Sequence, residues 1–393
     1  MADSLQAGER MIIEPIPNPH LTPEHLAFRD VMRRFVQTEI EPYANEWDEA
    51  GEFPRELYKK ASAVGLLQLG FPEEYGGVEL DQFYGNIASA EMARAGVGGV
   101  GASLMSHTIG LPPVAIAGSP ELKAKLIPPT LAGEKIFALA ITEPSGGSDV
   151  ANLRTTARRD GDHYVLNGEK TFITSGMRAD YITVAVRTGE GGRGGVSLIV
   201  VDTATPGFSR TPLRKMGWWA SDTATLYFDN CRVPAENLLG EEHHGFRIIM
   251  RNFNSERLFM AAGCIGQART CLEETVNYAR ERHTFGKPLI QHQVIRHKLA
   301  DMTMRINASQ AYLDHLSWRV MNGESPVADI CLLKNQATQT MEFCAREAVQ
   351  TFGGAGFMRG CKVERIYREV RVNAIGGGAE EIMRDLAARQ LGY

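Results

Sequence analysis

The spacing of apolar positions changes twice along the chain. From about Thr22 to Lys135 they recur every three to four residues, in blocks at 53–64, 81–95 and 121–132 broken by glycine and proline. That spacing predicts amphipathic helices. Thr22-Pro23-Glu24 opens the first one, with a capping hydroxyl, a proline suited to the first helical position and an acid near the positive end of the dipole. From about Ile136 to Gly240 the pattern turns to strands. Residues 155–159 and 163–166 flank Asp160-Gly161, while Leu166 and Lys170 flank Asn167-Gly168. Both dipeptides reach positive φ cheaply, so both predict hairpins. Runs at 181–187, 196–202 and 223–228 add short strands, and a compact β-barrel or sandwich fits them. Helical spacing returns over 245–282, 291–321, 325–352 and 363–373, and 379–390 closes the chain. The expectation is an α+β protein with an N-terminal α-helical domain over 1–135, a β-barrel domain over 136–240 and a C-terminal four-helix bundle over 241–393.

Composition narrows the function classes. With 393 residues, 44% of them hydrophobic, the chain is too long for one ordinary domain and too apolar for disorder. The net charge of -5, with basic residues scattered among acids, provides no nucleic-acid footprint. Among the six cysteines no pair has C-x-x-C spacing, which suits a reduced, intracellular chain. No apolar run reaches membrane-spanning length, and residues 1–20 have no signal-peptide core, so a cytoplasmic protein is expected.

Several motifs carry candidate chemistry. Gly96, Gly98, Gly99 and Gly101 fit G-x-G-x-x-G, but a helical run precedes them where a dinucleotide site needs a strand. Close packing under a ligand or another helix explains them better than nicotinamide binding does. His292 and His297 lie five apart without an H-E-x-x-H pattern or a cysteine at ligand spacing, so no metal is expected. Thr142-Glu143-Pro144-Ser145-Gly146-Gly147-Ser148-Asp149 is a polar loop leaving a strand. It is either an ordinary loop or one whose backbone N–H groups approach a flat ring or a phosphate. Glu256 falls on the apolar stripe of Ile249, Phe253, Met260 and Cys264. A carboxylate in a core slot is costly, so it is either ion-paired or functional. Glycine clusters at 353–356 and 376–378 suggest close backbone approach to a ligand, or tight turns between helices.

Taken in order, these segments resemble the acyl-CoA dehydrogenase family over almost the whole chain. The motifs are Ile141 to Asp149, Leu166-Asn167-Gly168-Glu169-Lys170-Thr171-Phe172-Ile173-Thr174, Lys215-Met216-Gly217 with Ser221-Asp222-Thr223, Arg282-His283-Thr284-Phe285-Gly286-Lys287, His292-Gln293, and Gln350-Thr351-Phe352-Gly353-Gly354. The resemblance implies FAD held by the β domain and the bundle. Thr142, Ser148, Phe172 and Thr174 match positions around the isoalloxazine. Arg282, Phe285, Gln293, Gln350, Gly353 and Gly354 match positions at the pyrophosphate and adenosine end, largely reached from a neighbouring subunit. A homotetramer built as a dimer of dimers is thereby implied, with electron-transfer flavoprotein as the electron acceptor.

The chain departs from many relatives in its last turn. Where they carry a glutamate as base, Gly376-Gly377-Gly378-Ala379 places Gly377, and Ala379 and Glu381 also replace usual residues. Glu256-Arg257 instead matches the long-chain and isovaleryl-type subgroup, whose base lies on the first long bundle helix. The resemblance then implies that Glu256 removes the α-proton of an acyl-CoA while the β-hydrogen leaves as hydride to the flavin. The product is a trans-2-enoyl-CoA. The Gly377 N–H and a ribityl hydroxyl would hold the thioester oxygen. Ser148, Asn254 and Arg257 match positions at the CoA-thioester end. Residues 96–105 match the floor of the acyl pocket, where Gly98, Gly99 and Gly101 would leave room for medium, long or branched chains. The rival readings are an oxygen-using acyl-CoA oxidase-like flavoenzyme and a non-catalytic acyl-CoA-binding member.

Overall fold

The computed structural model describes residues 10–393, with side chains undescribed over 251–254. In chain order the helices are α1 (Pro23–Glu39), α2 (Ala44–Ala50), α3 (Glu56–Ala63), α4 (Gln82–Ala93), α5 (Gly98–Leu104), α6 (His107–Gly110), α7 (Pro112–Ala117), α8 (Pro120–Leu131), α9 (Gly245–Glu281), α10 (Gln293–Met321), α11 (Val327–Phe352), α12 (Lys362–Glu369), α13 (Arg371–Ile375) and α14 (Glu380–Leu391). The strands β1 (Phe137–Ala140), β2 (Thr156–Asp160), β3 (His163–Thr174), β4 (Tyr181–Arg187), β5 (Val196–Asp202), β6 (Phe208–Pro212) and β7 (Thr223–Pro234) lie between α8 and α9. The helix–sheet–helix order is the one that the periodicity predicts.

Two compact units emerge. One comprises Met1–Asn45, Gln82–Gly98 and Arg257–Tyr393; the other comprises Glu46–Asp81 and Gly99–Glu256. In the second unit the strands form one seven-stranded sheet in the order β1-β4-β2-β3-β7-β6, with β5 paired to β4. Its core gathers Phe137, Ala185, Leu198 and Val200 from the sheet with Leu111, Leu122 and Leu126 from the helices. β5 is buried over six successive residues, so its apolar run lacks alternation. The first hairpin forms as expected, with Asp160 opposite His163. The second does not. β3 runs through Asn167-Gly168 as one strand, and its register against β7 shifts between Leu166 and Gly168. Gly168 has φ 139°, and a side chain there would strike the Thr155 Cα at 2.7 Å, so the glycine serves a bulge and not a turn.

In the first unit α9, α10, α11 and α12 share an apolar core of Leu258, Ile265, Leu313, Leu333, Met341 and Ile366, among others. α14 docks separately through Met383 and Ala387 onto Cys331. Gly96 ends the run after α4 at φ 62°, where its carbonyl accepts from the Arg365 Nε at 2.6 Å. Helix α4 precedes the 96–101 glycines, as expected, and Gly98, Gly99 and Gly101 lie within α5 itself. Among the described residues no single helix is long and apolar enough to cross a membrane.

Candidate functional site

The loop leaving β1 is anchored from below by a buried ion pair. Glu143 Oε1 accepts from the Lys170 Nζ at 2.7 Å and from the Thr155 N–H at 2.9 Å, while Oε2 accepts from the Arg154 N–H at 2.6 Å. Lys170 is fully buried and also donates to the Ile141 carbonyl at 3.0 Å. Burial pushes Glu143 upward, but the bond and charge of Lys170, together with the Arg154 and Thr155 N–H bonds, hold the carboxyl below its ordinary value. Burial brings Lys170 down to about 8 against the pull of that carboxylate. The Thr171 N–H donates to the Thr142 carbonyl at 2.9 Å, so loop and strand move as one.

On this base the expected flavin residues stand in the open. Ser148 is exposed, Thr142 and Thr174 are half-buried, and Phe172 is 68% exposed at φ 60°. A bulky residue held at positive φ with its ring in solvent is strained, and such strain clusters at ligand sites. Phe172 lies within the β3 register shift between Lys170 and Ile173, which is where the ladder releases it. An exposed aromatic ring, two half-buried threonines and an unobstructed glycine at 146 have the chemistry that the edge and face of a flat ring require.

The bundle unit carries the second group. Arg282 follows α9 and is exposed, as are Gln293 at the start of α10 and Gln350 in the last turn of α11. Phe285 tips a small hairpin, between β8 (His283–Thr284) and β9 (Lys287–Pro288), at φ 50° and 97% exposed. Gly353 ends α11 at φ 61°, and nothing lies within 4 Å of a side chain built at Gly353 or Gly354. Guanidinium, amides and bare backbone are a donor set for phosphate oxygens.

The third group surrounds the last turn. Gly377 and Gly378 have φ 65° and 106°. A side chain at Gly377 would collide with the Met260 Sδ and come within 3.1 Å of its Cε. Arg257 is buried, and its Nε lies 3.4 Å from the Gly377 carbonyl, with Nη1 3.9 Å from the Cys331 sulfur. Lys334, also buried, donates to the Gly378 carbonyl at 2.8 Å. The Asn335 amide donates to the Glu380 carbonyl at 2.9 Å. Ala379 stands at the N-cap of α14, where it provides no capping oxygen.

Some expectations need correcting. Glu256 is half-buried and not in a full core slot, although Ile249 and Cys264 of its stripe are buried; beyond it α9 also buries Leu258, Ala261, Ala262 and Ile265. Phe253 and Asn254 lie outside the residues whose side chains are described. The floor glycines divide. A side chain at Gly99 would meet the Ser221 nitrogen at 2.9 Å and the Trp218 carbonyl carbon at 3.0 Å, so Gly99 permits close packing and opens nothing. The Gly98 N–H donates to Glu369 at 2.7 Å, and Gly101 has open space where a side chain would stand. Lys170, Lys334 and Met260 were missed as site residues. Lys334 had a signal, as a lone charge following Ile330-Cys331-Leu332-Leu333 in a helical run.

Sequence models of the acyl-CoA dehydrogenase N-terminal, middle and C-terminal domains match residues 22–134, 138–231 and 243–392. The chain is 38% identical to the rat mitochondrial long-chain specific acyl-CoA dehydrogenase, over 94% of this chain and 86% of that one. A Mycobacterium smegmatis structure assigned to the acyl-CoA dehydrogenases superposes with a TM-score of 0.93 at 49% identity, covering 95% of this chain and 98% of that one. A chain in the structure of the electron transferring flavoprotein of Acidaminococcus fermentans superposes at 0.91 with 32% identity, covering 95% and 99%.

Proposed function

The chain belongs to the acyl-CoA dehydrogenase family, an FAD-dependent oxidoreductase family acting on CH–CH bonds, and from that premise we propose that Glu256 is its catalytic base. The observation that carries this reading is the Gly377 turn. Positive φ and the packed Met260 leave no room there for an acidic side chain. The base must come from elsewhere, and Glu256 directly precedes Arg257, whose side chain holds that turn.

In this reading the Gly377 N–H donates to the thioester oxygen and stabilises charge as the α-proton departs. Glu256 receives that proton. Asn254, Ser148 and Arg257 serve the CoA-thioester end, Arg257 by fixing the turn. FAD, when bound, would supply the acceptor for the β-hydrogen as hydride. Thr142, Ser148, Phe172, Thr174 and Gly377 hold its ring. Arg282, Phe285, Gln293, Gln350, Gly353 and Gly354 serve the pyrophosphate and adenosine end of a neighbouring subunit's cofactor, in a homotetramer. The two exposed, strained phenylalanines at 172 and 285 support both assignments, since each presents an aromatic face that a bound ring or a second copy would cover. The three domains are those of 1–135, 136–240 and 241–393.

The substrates are medium, long or branched acyl-CoAs, and the open space at Gly101 supports this. Electrons pass to an electron-transfer flavoprotein, as the Acidaminococcus neighbour suggests. The test is Glu256→Gln in FAD-loaded protein. Acyl-CoA-dependent bleaching of the flavin absorbance should slow ~10²–10⁴-fold while FAD stays bound. Near wild-type turnover would move the base to Glu380 or Glu381.

A further inference from the structure

We propose that Lys334 is a positioning residue for the thioester: from the bundle core its ammonium grips the Gly378 carbonyl and sets a fixed positive charge behind the turn that holds the substrate's carbonyl oxygen. This rests on the reading of Gly377 given above.

Lys334 is 0% exposed on α11, between Leu333 and the buried Asn335. Burying an ammonium is costly, and the usual remedy is a carboxylate in contact. Among the described residues none lies within ion-pair distance of its Nζ, and the Gly378 carbonyl at 2.8 Å is its hydrogen-bond partner. Glu380 acts on it through the field alone, and burial lowers the lysine's pKa. Neighbouring side chains grip the same turn, Arg257 at the Gly377 carbonyl and Asn335 at the Glu380 carbonyl. Asn335 demonstrates that a neutral amide suffices to tether a carbonyl here. A lysine adds charge to the tether, and no contacting carboxylate cancels that charge.

An uncancelled cation is best used where negative charge appears for part of the cycle. Loss of the α-proton places negative charge on the thioester oxygen, and a fixed charge in a low-dielectric surround needs no reorganisation to stabilise it. The tether serves the same end. With two successive glycines at positive φ the turn has much freedom, and fixing the Gly378 carbonyl anchors the turn two peptide units beyond the Gly377 N–H.

The test compares Lys334→Gln, Lys334→Met and Lys334→Arg in the FAD-loaded protein. The ligand is acetoacetyl-CoA, a 3-ketoacyl thioester whose enolate carries the same oxygen charge. The reading is the pH at which the bound ligand ionises, followed by its enolate absorbance. Removing the charge should raise that pH by about one unit and slow acyl-CoA-dependent bleaching about tenfold, since one unit equals a factor of ten. Lys334→Arg should stay near wild type. Unchanged ionisation in both neutral variants overturns the proposal. It is equally overturned if only Lys334→Arg loads FAD, because the charge then serves folding. Wild-type protein that neither ionises the ligand nor bleaches with acyl-CoA would instead sink the dehydrogenase site itself.

Discussion

Gly377→Ala adds a single methyl group, and the structure makes its cost calculable. The backbone there has φ 65°, which a residue with a Cβ adopts at about 1–2 kcal/mol. The new methyl also meets the Met260 thioether, with Cε at 3.1 Å. Methionine has three rotatable bonds and can swing aside, yet it leaves a packed seat, at an overpacking cost of about 1–3 kcal/mol. Together Gly377→Ala should destabilise by roughly 2–5 kcal/mol. Met260→Ala removes the second contribution and leaves the first, so in that background the penalty should fall to about 1–2 kcal/mol. Urea unfolding followed by far-ultraviolet circular dichroism, on the four proteins of the cycle at one concentration, measures both. Equal penalties in the two backgrounds would refute the Met260 contact. A penalty under about 0.5 kcal/mol in both would refute the backbone argument.

Two further predictions concern the other unit. Gly99→Ala should destabilise because its methyl meets backbone at 2.9 Å, whereas Gly101→Leu should fold normally and shift kcat/KM towards shorter acyl-CoAs, at about 0.8 kcal/mol per excluded methylene. Butyryl-CoA as the best wild-type substrate in a chain-length series would contradict the open pocket. The Glu143–Lys170 pair should hold the flavin loop. Glu143→Gln leaves a buried lysine uncompensated and should cost about 3–5 kcal/mol, read as FAD lost on gel filtration. Because the folded pKa of Glu143 lies below 4.5, its contribution is complete above that pH and lost as the pH falls through the folded value. Lys170→Met removes the largest lowering causes and leaves burial opposed only by the Arg154 and Thr155 N–H bonds, so flavin release on acidification, followed by fluorescence, should move to higher pH. Release at the same pH in both proteins would contradict the pair's role.

The helices and most strands were legible because their causes are local. β4 and β5 fall where alternating or continuous β-branched runs put them, and α1 begins at its Thr-Pro-Glu signal. The Asn167-Gly168 hairpin failed because the same positive φ serves a turn or a bulge, and the choice lay with Thr155, the residue before β2. Glu256 fared in between. Its helix was readable and its motif pointed to a role, but its half-buried state depends on which face of α9 the other helices cover.

By itself the sequence determined the order of elements, the family and the list of residues whose types suit flavin and thioester. These are properties of spacing and of side-chain chemistry, and they survive in a linear chain. Tertiary structure alone decided what surrounds each of them. It joined Lys170 to Glu143 across 27 positions and Lys334 to the Gly378 carbonyl across 44, and it set Met260 against Gly377. It also separated Gly99, pressed on backbone, from Gly101, which has open space. Burial and contact between distant segments depend on how the whole unit packs, and no local pattern of residues encodes which partner will fill a given space.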